Sequence, residues 1–254
     1  MNAFKKPLPP TRSRAIAALL FVWIFSSCAP VYRPNTLFMP VFEQQGDVSI
    51  EASLGSSDIT LNAGYAFSDN LAIIGGGQIK SLSPKYSVNS YFFEGGMGYY
   101  KKPSDSHSFE ILGGMGYGNV EFDERYRVIF GGGYRNRHME SNYARFFLQY
   151  NIHFNVRPMI FSFSSRFSQL HVFHYENIIS SESDGRIVDE TSRTNFGSFF
   201  LEPNVTVTLK LGELHLFVQS GASLHTSGPA TIMDHEFYML NIGVKYNFNR
   251  GHKP

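Results

Sequence analysis

From Val48 to Asn249 the chain alternates apolar and polar residues with a period of two, which restricts it to strands with one face in an apolar medium. Tyr143 to Val156 is the clearest example. Phe146, Leu148, Tyr150, Ile152, Phe154 and Val156 fall on one face, and Arg145, Gln149, Asn151, His153 and Asn155 on the other. The same division recurs in Ser198 to Lys210 and in Phe237 to Asn249. A soluble sandwich also alternates, but its polar face meets bulk water and carries many more Lys and Glu. Here the polar face is mostly small and neutral, which fits a confined interior.

Ten such segments can be counted: Val48 to Gly55, Ile59 to Phe67, Leu71 to Lys80, Ser90 to Tyr100, Ser108 to Glu121, Tyr143 to Val156, Met159 to Val172, Phe196 to Lys210, Glu213 to His225, and Glu236 to Asn249. Their connections alternate between short and long. The short ones lie at Ser68 to Asn70, Lys101 to His107, Arg157 and Pro158, and Leu211 and Gly212; the longest are Phe122 to Asn142 and Phe173 to Asn195. An open sheet edge cannot lie in hydrocarbon with unpaired backbone groups, so the sheet must close. The expected fold is an all-β, closed antiparallel transmembrane β-barrel of about ten strands, spanning 47–250, with eight if the first hairpin stays out of the wall. Arg125 to Gly133 is read as a continuation of the wall beyond the membrane or an ordered loop, because an eleventh strand would break the alternation of connections.

Composition agrees. Charged residues are 17%, below the roughly 25% of soluble domains, while aromatics reach 15%. A net charge of +1 gives nucleic acid no basic face to bind. Phe92 to Tyr99 (Glu94, Gly95, Gly96, Met97, Gly98) is echoed by Phe109 to Tyr117 (Glu110, Gly113, Gly114, Met115, Gly116), which predicts neighbouring strands whose glycines relieve crowding in a curved wall.

The start of the chain is a separate unit. Lys5, Lys6, Arg12 and Arg14 precede an apolar run from Ala15 to Phe25, then Ser26, Ser27 and Cys28, the pattern of a secretory signal peptide over 1–27. Eleven apolar residues are too few to span a bilayer as a helix. Cys28 is the sole cysteine, so an intrachain disulfide is impossible. The stretch Phe25 to Cys28 resembles a bacterial lipobox, which implies acylation (palmitate) at Cys28 and a lipidated linker over 28–46. That linker is expected on the side of the short turns, the periplasmic side.

By arrangement the chain resembles the small outer-membrane β-barrel proteins of Gram-negative bacteria, the porin-like group, with a lipoprotein leader of the kind common in Bacteroidota. The resemblance implies an outer-membrane location, contact with outer-membrane lipid, and possible contact with other outer-membrane proteins. One departure is the C-terminus: many such barrels finish on an aromatic residue, whereas Phe248 here is followed by Gly251, His252, Lys253 and Pro254.

The chemistry-bearing residues are the lumen charges: Glu51, Glu94, Glu110 and Glu202 against Lys80, Arg145, Arg166, Lys210 and Lys245. Charges of both signs in a confined space must pair. Three readings follow: a salt-bridged filling, a selective filter for ions or small solutes, or a catalytic carboxylate pair. Some ten-stranded barrels are proteases with acidic and His-containing pairs at the outer rim, and Asp234 with His235, Asp123 with Glu124, and His171 with His174 lie near predicted outer ends. No spacing among them matches a catalytic motif, and His171 and His174 should lie on opposite faces of a strand. Gly75 to Gly77 with Lys80 and Ser81 lacks the helix a phosphate loop needs. No cofactor, metal or catalytic residue is expected. The leading functional expectation is a non-enzymatic structural or accessory component of the envelope; a narrow passive pore and an adhesin using the two longest connections are the rivals.

Overall fold

A computed structural model describes residues 32, 34–55, 58–80, 87–127, 134–181, 186–228 and 236–248. Among the described residues eleven strands form one antiparallel sheet: β1 (Val48–Leu54), β2 (Ile59–Ala66), β3 (Leu71–Lys80), β4 (Ser87–Ser104), β5 (His107–Arg127), β6 (Tyr134–Val156), β7 (Met159–Ser181), β8 (Ile187–Leu211), β9 (Leu214–Ala222), β10 (Leu224–Ser227) and β11 (Tyr238–Phe248). Each pairs with its predecessor from β1 to β9, β9 pairs with β11, and β11 returns to β1 with Val48 opposite Phe248. The sheet therefore closes on itself around the barrel.

The wall has ten staves, because β9 and β10 are one strand interrupted at Ser223. Asn204 pairs with Gly221 and Leu201 with Leu224, so the same register runs through the break. Ala222 then stands opposite Pro203, whose ring nitrogen has no hydrogen to give the ladder.

Outward side chains form a band of exposed apolar residues, among them Met97, Met115, Leu148, Phe167 and Ile242. Exposure of such a belt is tolerable only in lipid. Tyr65, Tyr99, Tyr150 and Tyr246 lie towards the short-turn end of the band, and Tyr91, Tyr117 and Tyr238 towards the other end. These are the aromatic girdles of a membrane barrel.

The two long connections expected at Phe122 to Asn142 and Phe173 to Asn195 are not loops for most of their length. β5 continues to Arg127, β6 begins at Tyr134, β7 runs to Ser181 and β8 starts at Ile187, so a ribbon rises above the band. The alternation fades towards the top of the ribbon, past Phe122, Met139 and Tyr175, where the inner face is no longer buried, while the ladder persists. Cross-strand contacts hold it: Arg125 stacks 4.4 Å over Tyr134, Arg137 Nε donates to Asn177 Oδ1 at 2.7 Å, and Asp123 meets His138 at 2.8 Å. Arg125 to Arg127 thus extends β5 and is no eleventh stave.

The glycine echo is explained by β4 and β5 lying side by side, Gly96 opposite Gly114. A Cβ on inward-facing Gly96 would stand 2.2 Å from the Gly113 carbonyl oxygen, and one on Gly114 would stand 2.3 Å from that of Gly95. By contrast a Cβ on outward-facing Gly95 meets nothing nearer than 3.8 Å. Gly96→Ala should therefore cost about 1–3 kcal/mol through overpacking and reduce the folded, heat-modifiable band on gels. Gly95→Ala should leave that band unchanged.

Candidate functional site

The interior of the barrel is filled by the chain itself. Residues 34–40, expected to belong to a linker, are buried throughout, as are Tyr32 and Phe42. This arm runs the length of the lumen. Tyr32 packs against Phe122, Met139, Tyr143 and Tyr175 at the ribbon end, and its carbonyl accepts the Glu236 N–H. At the other end Phe42 packs on Ala66, Ala72 and Tyr100 beside the short turns. The chain then turns through Gly46 and enters β1; Asp47 Oδ2 accepts the N–H groups of Glu43 (2.8 Å) and Gln44 (3.0 Å) to fix that turn. Burial nonetheless raises the Asp47 carboxyl above its ordinary range, since these two bonds only partly offset desolvation.

Cys28 lies outside the described residues, as does the whole leader. Tyr32, only four residues later, is at the ribbon end, so the arm descends towards the short turns rather than starting from them.

Two prolines, Pro34 and Pro40, keep the arm extended and bring no N–H that the lumen would have to satisfy. Its remaining polar groups are met by the wall. Near the ribbon end Asn35 bridges two ion pairs. Its Oδ1 accepts from Arg145 Nη2 and Arg166 Nη1, both at 2.8 Å, and its Nδ2 donates to Glu94 Oε1 at 2.7 Å. Arg145 is paired with Glu94, and Arg166 with Glu202. Tyr32 joins the same network, donating from its hydroxyl to Glu202 at 2.6 Å and accepting from Arg145 Nη1 at 3.0 Å. Arg145 also lies 4.2 Å over the Phe92 ring.

Deeper in the lumen the wall addresses the arm's backbone. Gln219 accepts the Leu37 N–H at 2.9 Å and donates to the Leu37 carbonyl at 3.0 Å. The Phe38 carbonyl accepts from Gln149 (2.7 Å) and Asn151 (3.2 Å), and the Met39 carbonyl from Lys245. Lys245 is also 3.5 Å from Glu51. Glu110 accepts the N–H groups of Val41 (2.8 Å) and Phe42 (3.3 Å), with Asn151 at 2.8 Å and the His153 ring 3.3 Å away. Gly64 makes room for the arm: a Cβ there would stand 2.8 Å from the Phe42 ring and 2.9 Å from that of Phe38.

Seven of the nine lumen charges singled out from sequence are thus drawn into this assembly. Lys80 is buried near the ribbon end, with no hydrogen-bond partner for its Nζ among the described residues. Lys210 sits at the short-turn mouth, where it lines a void of about 10 Å³ with Glu43, Lys102 and His153, room for about one water. At the same mouth Lys102 is held above its ordinary range: burial works against it, but its bonds to Glu43 and Asp105 prevail.

Sequence reasoning missed Tyr32, Asn35, Gln149, Asn151 and Gln219. A signal for the arm was present: Leu37, Phe38, Met39, Val41 and Phe42 make 28–46 too apolar for a solvated linker.

On the outer face of the ribbon, Asp123 is joined to His138 rather than to Glu124. Glu121, Asp123 and His138 bring ligand atoms within 4.8 Å of one another, an arrangement that could offer a cation three ligands. The bond to Asp123 raises the His138 pKa, with Glu121 and Glu140 adding to it against slight burial. His171 and His174 do not fall on opposite faces. The β6–β7 register slips at Phe173, and this bulge keeps His174 on the outer side with His171, which packs edge-on to Phe173 at 4.9 Å. Asp234 and His235 lie outside the described residues.

No family model and no curated protein matches the chain. Its fold is similar to the outer membrane protease OmpT from Escherichia coli, with a TM-score of 0.58 over 84% of this chain and 99% of that one, at 8% identity. The KdgM porin has a TM-score of 0.39 at 12% identity, covering 80% of this chain and 99% of that chain. The translocator domain of the autotransporter NalP from Neisseria meningitidis has a TM-score of 0.43 at 10% identity, covering 92% and 95%. The closed wall with its apolar belt and girdles defines an integral membrane β-barrel, and the likeness to OmpT, at 8% identity, concerns the fold alone.

Removing one member of a buried ion pair leaves the other uncompensated, at a cost of about 3–5 kcal/mol. Arg166→Leu should therefore lower the urea midpoint of refolded protein steeply, and Arg166→Leu combined with Glu202→Leu should recover part of the loss. For His138, a raised folded pKa means its bond to Asp123 contributes stability below the ordinary value of about 6.5 and loses that contribution as pH rises through the raised value. In an NMR titration the His138 ring should titrate above 6.5 and fall back in Asp123→Asn.

Proposed function

We propose that this protein is a closed, non-enzymatic outer-membrane barrel, a structural or accessory component of the envelope rather than a solute passage. The observation that carries this reading is the arm Tyr32–Phe42, which occupies the lumen from mouth to mouth. A filter would need mobile water and free charges along a path, whereas here seven of the nine lumen charges are spent on one another and on Asn35, Tyr32 and the arm backbone. The exposed Asp123–His138 pair faces away from the barrel mouth, which does not favour a site that closes over a substrate.

Lipidation at Cys28 by palmitate, after removal of a signal peptide, belongs to the same reading. With the arm running as it does, an acyl group there would be held on the ribbon side of the membrane. The partners implied are outer-membrane lipid around the belt and other envelope proteins at the ribbon, where Ile187 and Val188 are exposed.

In planar bilayers the intact chain should be electrically silent, and deletion of Asn35–Met39 should produce resolved openings. Steady openings of the intact chain that change when Arg166 or Glu202 is neutralised would contradict this reading and favour the passive pore.

A further inference from the structure

We propose that the lumen is a binding tunnel for an extended, uncharged polypeptide segment, with the arm as its resident occupant and a peptide of similar length able to take its place. This rests on the filled-lumen reading above.

The wall reads main chain. Gln219 uses both ends of its amide on the N–H and carbonyl of one residue, Leu37, as a neighbouring strand would. Gln149 and Asn151 take the Phe38 carbonyl, Lys245 the Met39 carbonyl, and Glu110 two successive N–H groups. These contacts ask nothing of the side chains at Leu37, Phe38, Met39 or Val41, so they would be met by another sequence in the same conformation. Polar side-chain contacts are confined to one end, where Tyr32 and Asn35 enter the Arg–Glu network and Thr36 Oγ1 lies 2.8 Å from Ser53 Oγ; elsewhere the arm's side chains make apolar contacts, Leu37 and Met39 with Met239 and Phe42 with Tyr100.

The charge requirement follows from the wall. Arg145 with Glu94, Arg166 with Glu202, and Lys245 with Glu51 balance within themselves, and the arm from Pro34 to Phe42 carries no charge. A charged residue placed beside these three pairs would find no counter-ion among them.

The arm is strained at one residue. Val41, where it leaves the lumen, has φ 60°, a left-handed conformation that a β-branched residue adopts only under strain. Release of the arm relieves that strain, which favours exchange. The next residues, Glu43 to Gln45, form an exposed turn where the arm can be severed from the wall.

The test uses the full chain with a protease site placed in 43–45, folded first and cut afterwards, with retention of the barrel checked by heat-modifiable gel mobility. The probe is a fluorescent synthetic peptide of sequence 34–42 with capped ends, which carries no charge. It should bind the cut barrel and not the uncut one. A peptide with Leu37, Phe38 and Met39 changed to Val, Leu and Leu should bind within about threefold, whereas N-methylation at Leu37, which removes the N–H given to Gln219, should weaken binding about tenfold or more, one strong hydrogen bond's worth. No entry of the probe into the cut barrel, equal binding to the uncut protein, or side-chain changes that weaken binding more than N-methylation would each overturn the proposal. Conductance of the uncut chain would instead overturn the filled-lumen reading. If cutting destroys the fold, uncut Leu37→Pro and Leu37→Val decide the matter: the proline form should unfold at lower urea and the valine form near the parent, and the reverse order would overturn backbone recognition.

Discussion

A polar face wrapped into a closed cylinder must find partners for its charges inside that cylinder, and the rest of this structure answers to that constraint. The outer face is apolar because it meets lipid, so period-two alternation drives Arg145, Arg166, Glu51, Glu94, Glu110, Glu202 and Lys245 inward. An eight-stranded barrel is just wide enough for its own side chains to fill. Ten staves leave additional space, and the glycines at 64, 96 and 114 widen it further. The arm supplies the matter that fills this space and the amide and carbonyl groups that complete the pairing of the wall.

The division of labour within the lumen follows from where charge is concentrated. At the ribbon end two arginines and two glutamates converge, and a neutral but strongly polar side chain, Asn35, can accept from both arginines while donating to a glutamate. Towards the short turns, amides dominate, and they suit a bare backbone. An open aqueous path would hydrate these groups and leave no reason for such complete pairing.

The wall was legible in the sequence because a membrane barrel writes its two environments directly into alternation. The ten staves, the closed sheet and the adjacency of the two glycine-rich strands follow from that pattern together with the rhythm of short turns. What the pattern could not convey was anything outside the lipid. Beyond Tyr117 on β5, Asn119, Glu121 and Asp123 face water on the outer side, so the continued ladder of the ribbon left no hydrophobic trace on its outer face. The bulge at Phe173 shifted the parity on which the placement of His174 rested. The arm eluded pattern reading for another reason: among the described residues it joins no ladder, and its partners are side chains 17 to 182 residues away, as with Thr36 and Ser53 or Leu37 and Gln219. Only its apolar composition hinted at burial.

Hydrogen exchange followed by NMR on the folded barrel tests the central claim most directly. If the arm fills the lumen, the amides of Leu37, Val41 and Phe42 should be protected to the same degree as wall amides in β6 and β7, because their acceptors are buried on Gln219 and Glu110. Exchange of these three amides at the rate of an unstructured peptide, with the wall still protected, would contradict it.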